Sequence, residues 1–228
     1  MPTSKLLYSL GRTFIQGYAR MMLHLDIHSL GDMPVGPKLF VANHPSATDP
    51  FLIHLVSLQQ LSVLITETAF AFPLLGWYMR KTKQIPVVAG QGEAALEHAC
   101  QSIGAGRSIA IFTEGTLSPQ EGGFHPPRTG AARLALKTGI PVIPVGIYLP
   151  RERSLCISTD LTGRQTRGYW YLRGPYGITL GQPMFFKGDV EDREHVRTIA
   201  QNIMDRIRAL ALESERRLHG LKRSASSG

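Results

Sequence analysis

Residues 38–49 read Lys-Leu-Phe-Val-Ala-Asn-His-Pro-Ser-Ala-Thr-Asp, and this segment is the most informative part of the chain. Its first part, residues 38–42, is a short apolar run between turn-forming glycine, proline and asparagine residues. Such a run is typical of a strand buried on both faces, as in a parallel sheet. Asp49 and Pro50 then favour the start of a helix. We therefore predict a buried strand, a polar turn and a helix in succession.

The same succession of a short apolar strand and a helix recurs along the chain. We predict strands at 61–66, 84–88, 108–113 and 142–148 and helices at 92–103 and 129–138. This alternation indicates an α/β fold with a mostly parallel sheet covered by helices. After Pro150 we expect a closing pair of strands at 169–173 and 177–180, then a long C-terminal helix capped by Asp189.

The two ends of the chain are predicted to differ from this central domain, residues 26–220. Residues 1–25 contain an amphipathic helix, with Leu10, Phe14 and Met21 on its apolar side. Its apolar stripe fits either a membrane interface or the protein's own core. Residues 221–228 are rich in serine and glycine and are predicted to form a disordered tail.

The composition limits the possible partners. The formal net charge is +8 with a pI of about 9.8, which favours an anionic membrane surface or an acidic carrier. Nucleic acid is disfavoured because the arginines are not combined with an aromatic platform or a recognition helix. No apolar run reaches the roughly 18 residues of a membrane-spanning helix. Two cysteines are too few for a disulfide framework.

Two polar segments follow predicted strands and carry the candidate chemistry. His44 and Asp49 come after the first strand, where a carboxylate can orient a histidine that acts as a base. Glu114, Gly115 and Thr116 follow the strand at 108–113, at the same predicted edge of the sheet. Taken alone, both segments also fit ordinary turns, with Asp49 as a helix cap.

Five segments, taken in order, resemble the phospholipid and glycerol acyltransferase family, which includes the lysophosphatidic acid acyltransferases. The matching segments are Asn43-His44 with Asp49, Pro73 to Trp77, Phe112 to Ser118, Arg128 to Ala135, and Ile140 to Val145. They cover roughly residues 38–148. Five matches in the family's order and spacing are far more specific than any single motif.

This resemblance implies a reaction and a set of site residues. His44, paired with Asp49, would deprotonate the hydroxyl of a lyso-lipid acceptor, which attacks the thioester of acyl-coenzyme A or acyl carrier protein. The substrate-binding residues implied are Asn43, Glu114, Gly115, Thr116 and Arg128. No metal and no resident cofactor is implied, and the expected location is the cytoplasmic face of a membrane, as a peripheral or monotopic protein.

The chain departs from the family pattern at two positions. Leu117 and Val88 stand where family members commonly carry arginines that hold the phosphate of the acceptor. The resemblance therefore leaves the acceptor open, including one without a terminal phosphate. Two other functions also stay open: a non-catalytic membrane-binding protein, and a hydrolase using Ser46 or Ser118 without a Gly-x-Ser-x-Gly elbow.

Overall fold

The computed structural model describes residues 2–159 and 166–225. The helices are α1 (Pro2–Met22), α2 (Asp49–Leu52), α3 (Pro73–Lys81), α4 (Gly92–Gly104), α5 (Gly130–Thr138) and α6 (Arg193–Ala225), with 3₁₀ turns at Ile53–Val56, Glu67–Ala71 and Arg151–Arg153. The strands are β1 (Leu23–Ser29), β2 (Leu39–Ala42), β3 (Leu61–Thr66), β4 (Ile85–Val87), β5 (Ser108–Phe112), β6 (Val142–Tyr148), β7 (Leu155–Thr159), β8 (Thr166–Trp170) and β9 (Gly174–Leu180).

The main sheet has the order β1-β9-β6-β2-β5-β3-β4. All its neighbouring strands are parallel except β6 and β9. Strand β2 is central and buried on both faces: Leu39 and Val41 pack with α4, α5 and α6, while Phe40 and Ala42 pack on the α1 and α2 side. The predicted α/β fold with helices on both faces is confirmed.

The N-terminal helix ends earlier than the sequence predicted. It stops at Met22, and residues 23–29 form β1, which pairs in parallel with β9 along one edge of the sheet. The sequence signal was the alternation of apolar and polar residues in Leu-His-Leu-Asp-Ile at 23–27, a pattern of period two that favours a strand. The predicted helical end at residue 25 was therefore wrong.

The C-terminal region also differs in three respects. Strand β9 joins the main sheet between β6 and β1, whereas β8 pairs with β7 in a separate hairpin, so the predicted closing pair is wrong. Residues 175–180 are all buried, which requires a place inside the sheet.

The last helix also begins and ends differently from the prediction. The carboxylate of Asp192, rather than Asp189, accepts the amides of the first turn of α6. Helix α6 continues through residues 221–225 of the predicted tail, because extending a formed helix costs little; residues 226–228 lie outside the described part.

Helix α1 is attached to the domain through a buried polar contact. The Tyr8 hydroxyl accepts the Leu61 amide at 3.0 Å and lies 3.1 Å from His54 Nδ1. The same hydroxyl lies 3.5 Å from the Gln59 carbonyl, and the His54 tautomer sets which of the two contacts it donates to. Burial, followed by the charges of Arg107 and Arg12, lowers the pKa of His54 to about 4.

We predict that His54 makes the fold sensitive to mild acid. The pKa of His54 is about 4 in the folded protein, below its ordinary value of 6.5. Between these two pH values the unfolded chain binds a proton that the folded protein does not, so the free energy of unfolding decreases as the pH is lowered. His54→Gln keeps an acceptor for Tyr8 but does not titrate. From about pH 7 to about 4.5, urea denaturation should show the wild type losing about 2–3 kcal/mol more than this variant. Parallel losses in the two proteins would contradict the assignment.

Candidate active site

The side chains of His44 and Asp49 meet at the carboxyl end of β2. His44 Nδ1 lies 2.9 Å from Asp49 Oδ2, and the same oxygen accepts the Ser46 amide at 2.8 Å. The five-residue spacing works because the chain turns after β2 and Asp49 begins α2, so both side chains return to one point. A carboxylate on Nδ1 places the imidazole proton there and leaves Nε2 as the basic nitrogen.

The imidazole of His44 is held in place and remains partly open to solvent. It stacks on the Phe112 ring with centroids 4.2 Å apart and an interplanar angle of 21°. Its side chain is 16% exposed, while the Asp49 side chain is completely buried. Nε2 makes no hydrogen bond within the described residues, so it is available to a substrate.

Glu114 lies at the same edge but is directed into the protein. Its Oε1 accepts the His44 amide at 3.1 Å and the Ser118 hydroxyl at 2.5 Å, and its Oε2 accepts the His125 amide at 2.7 Å. The residue is buried. Its described contacts therefore position the backbone of His44, rather than leaving a carboxylate open to the acceptor.

Asn43 has a comparable bracing contact on the other side of β2. Its amide nitrogen donates to the Ile147 carbonyl and its amide oxygen accepts the Ile147 amide, both at 2.8 Å. The side chain thus continues the pairing of β2 with β6 one residue beyond the strand. Both polar ends of Asn43 are used within the protein.

Gly115, Thr116 and Arg128 form the exposed part of the predicted site. Gly115 has a φ of +69°, and a Cβ there would come within 2.2 Å of Arg128 Nε. Glycine thus satisfies the backbone and leaves room for the arginine to cross over it. The Arg128 guanidinium makes no hydrogen bond or ion pair within the described residues, so it remains an available cation over Gly115.

Sequence reasoning missed two side chains that act on this centre. The Tyr176 hydroxyl, from β9, donates to Asp49 Oδ1 at 2.6 Å. Arg151 donates to the carbonyls of Pro119 and Gly123; burial lowers its pKa, and the negative charges of Glu114 and Asp49 oppose this lowering only in part. No local motif marks either residue, because both come from segments that reach the site only through the sheet.

The structure separates the two positions where the usual arginines are missing. Leu117 is partly buried in the loop after β5, directly beside the centre. Val88 follows β4, the edge strand, which β3 and β5 separate from β2. Three strand spacings amount to about 14 Å, so position 117 is the closer one to His44.

The serines proposed for a hydrolase are occupied by structural contacts. Ser46 is buried, and its hydroxyl bonds Thr48 and the Tyr169 carbonyl. Ser118 is also buried and donates to Glu114. Neither hydroxyl bonds the imidazole of His44, which disfavours a serine nucleophile. Within residues 2–159 and 166–225, no group of three or more His, Cys, Asp or Glu side chains could hold a metal ion.

The structure also contains an open cleft, and none of the predicted site residues lines it. It has a volume of about 710 Å³ and lies between the loop at 120–124, the segment after β6, and α6. Ile147, which pairs with Asn43, and Tyr169, which pairs with Ser46, both line it. Its size is in the range of small-molecule sites.

The fold and the site together define an α/β protein with a hydrogen-bonded histidine–aspartate pair at the carboxyl edge of a mostly parallel sheet. The model of the Acyltransferase family matches residues 12–148. The chain belongs to this family, which confirms the resemblance inferred from the motifs.

Relatives and one solved structure agree with this assignment. The chain is 32% identical over 126 residues to 1-acyl-sn-glycerol-3-phosphate acyltransferase BAT2 of Brassica napus, covering 53% of this chain and 36% of that protein. It is 34% identical over 135 residues to lyso-ornithine lipid O-acyltransferase of Pseudomonas aeruginosa, covering 57% and 50%. The chain thus spans about a third to a half of the length of these curated relatives.

The fold resembles that of the 1-acyl-sn-glycerophosphate acyltransferase PlsC from Thermotoga maritima. The TM-score is 0.60 at 22% identity, over 91% of this chain and 79% of the other. At this identity the likeness concerns the fold alone.

Proposed function

We propose that this protein is an O-acyltransferase that moves a fatty acyl group from a thioester, acyl-coenzyme A or acyl carrier protein, to the hydroxyl of a lyso-lipid or glycerolipid acceptor. The observation that carries the proposal is the His44–Asp49 pair at the carboxyl edge of β2, with Nε2 free. The membership of the chain in the Acyltransferase family and the names of its relatives support the reaction type.

The geometry of the pair suits base catalysis. His44 Nε2 takes the proton of the acceptor hydroxyl as its oxygen attacks the thioester carbonyl carbon. Asp49, bonded to Nδ1, stabilises the imidazolium that forms. When the tetrahedral intermediate collapses, the carbon–sulfur bond breaks and the proton on Nε2 passes to the leaving thiolate. The hydroxyl is thereby acylated and a free thiol is released.

We propose that Arg128 binds an anionic part of the acceptor. Its guanidinium lies over Gly115 with no partner among the described residues, and the next residue in the chain, Thr116, is exposed. An arginine can bind a phosphate or carboxylate through two parallel hydrogen bonds. The uncharged Leu117 leaves this site with one arginine fewer than is common in the family. A lysophosphatidate phosphate should therefore bind more weakly here than in family members with both arginines.

We further propose that the protein binds the cytoplasmic face of membranes peripherally or monotopically through α1. Leu10, Phe14 and Met21 are 58%, 78% and 84% exposed on this helix, opposite the face that docks through Tyr8. Helix α3 contacts α1 through Ser4 and exposes Leu74 and Trp77. No helix among the described residues is long and apolar enough to cross a bilayer. Exposed apolar side chains on a chain of net charge +8 suit an anionic lipid surface.

We predict that His44→Ala reduces acyl transfer by about 10²–10⁴-fold, as expected when a general base is lost. The measurement is thiol release from acyl-coenzyme A with a panel of lyso-lipid acceptors. His98→Ala, an exposed histidine on α4, is the matched control and should retain wild-type turnover. If folded His44→Ala keeps more than about a tenth of wild-type activity, the base is a different residue.

We predict that Leu117→Arg lowers the apparent KM for lysophosphatidate by about ten- to a hundredfold. This change corresponds to one additional charge-assisted hydrogen bond to the phosphate, which contributes roughly 1.5–3 kcal/mol. Acceptors without a phosphate monoester should not change. Leu117→Met, a neutral substitution of similar size, is the control for altered packing. A wild-type enzyme that uses lysophosphatidate ahead of every other lyso-lipid, at low micromolar concentration, would show that other cations already provide the phosphate contact.

We predict that Leu10→Ser with Phe14→Ser weakens binding to anionic vesicles by at least about tenfold, because two apolar side chains no longer enter the lipid. Flotation with vesicles of phosphatidylcholine and phosphatidylglycerol measures the bound fraction. Val35→Ser with Phe185→Ser removes two exposed apolar side chains elsewhere and should bind as the wild type does. Equal binding of the wild type to neutral and anionic vesicles would show that electrostatic attraction does not contribute. Equal losses of binding in the two double variants would show that α1 has no specific role.

A further inference from the structure

Tyr176 contacts the candidate base pair from β9, which β6 separates from β2 in the sheet. We propose that Tyr176 is a positioning residue for the reaction: its hydroxyl holds the Asp49 carboxylate in the orientation that aligns His44. This inference rests on the proposed function, since it assigns a role within the same site. It concerns a residue beyond position 148, where the match to the family model ends.

The Asp49 carboxylate depends on this hydroxyl for its hydrogen bonding. Oδ2 accepts both His44 Nδ1 and the Ser46 amide, whereas Oδ1 accepts only Tyr176, at 2.6 Å, within the described residues. Asp49 and Tyr176 are both fully buried. A buried carboxylate oxygen without a hydrogen-bond donor destabilises the folded protein. The contact with Tyr176 therefore fixes the orientation of the carboxylate.

The three donors define the plane of the carboxylate. A carboxyl group turns easily about its last torsion, which has a broad energy profile. The Ser46 amide and Tyr176, acting on different oxygens, remove this freedom and direct Oδ2 at His44. A base must be placed within a fraction of an ångström to act efficiently, and outer contacts of this kind provide the placement.

Tyr176 is suited to remain a donor. Burial, followed by the negative charge of Asp49, raises the pKa of Tyr176 well above its ordinary value. The hydroxyl therefore keeps its proton at neutral pH and does not compete with His44 for the proton of the substrate. The ring itself is fixed in β9, a buried strand next to β6 and β1.

The kinetic test compares Tyr176→Phe with Tyr171→Phe. Tyr171 is also fully buried and lies 6.2 Å from Tyr176 between ring centroids, but its hydroxyl donates to the Pro175 carbonyl. Both variants lose one buried hydrogen bond, so similar falls in Tm are expected. Tyr176→Phe should lower kcat by about ten- to a hundredfold with KM for both substrates changed less than about twofold, whereas Tyr171→Phe should keep wild-type kcat. Equal kcat in the two variants would overturn the inference.

A second measurement needs no turnover. In protein labelled with ¹⁵N-histidine, the Nδ1–H of His44 bonded to Asp49 should give a downfield proton resonance, assigned by its absence in His44→Ala. Tyr176→Phe should shift or broaden this resonance, and Tyr171→Phe should leave it unchanged. An unmoved resonance in Tyr176→Phe overturns the inference. The spectrum reports the hydrogen bond between His44 and Asp49 directly. It therefore tests the role of Tyr176 even if the proposed acyl transfer is not found.

Discussion

The arrangement of the site depends on the buried carboxylate of Glu114. A carboxylate enclosed in protein without an ion pair is stable only when donors surround it. Here the donors are the His44 amide, the Ser118 hydroxyl and the His125 amide, which come from three separate segments. The hydrogen bonds to the Glu114 carboxylate therefore hold the end of β2, the turn after β5 and the following loop together. The position of His44 follows from this constraint.

Two further polar side chains extend the same constraint across the sheet. Asn43 links the end of β2 to β6, and Asp49 links the start of α2 to β9 through Tyr176. The candidate base is thus attached to strands on both sides of β2. A histidine held in this way keeps one orientation. A general base needs this fixed orientation to act efficiently, so the presence of His44 and Asp49 alone would not be sufficient.

Helix α1 has one side packed on the domain and another side exposed. Its inner side contributes Tyr8 and Ala19 to the core, and its outer side leaves Leu10 and Phe14 exposed. The sequence alone left open whether the apolar residues pack on the domain or lie in a membrane interface. The structure buries some of these apolar residues and exposes others, because a helix with apolar residues over more than half its circumference cannot bury all of them on one face.

The strand–turn–helix order, the buried central strand and the pairing of His44 with Asp49 could be predicted from the sequence, because they follow from local periodicity and from motifs within a few residues. The strand β1, the place of β9 and the structural roles of Glu114 and Asn43 could not be predicted in this way. They depend on which distant segments pair as strands or bond a buried polar side chain. Tyr176 is the clearest case: no neighbouring residue marks it, and its contact with Asp49 exists only because β9 enters the sheet beside β6.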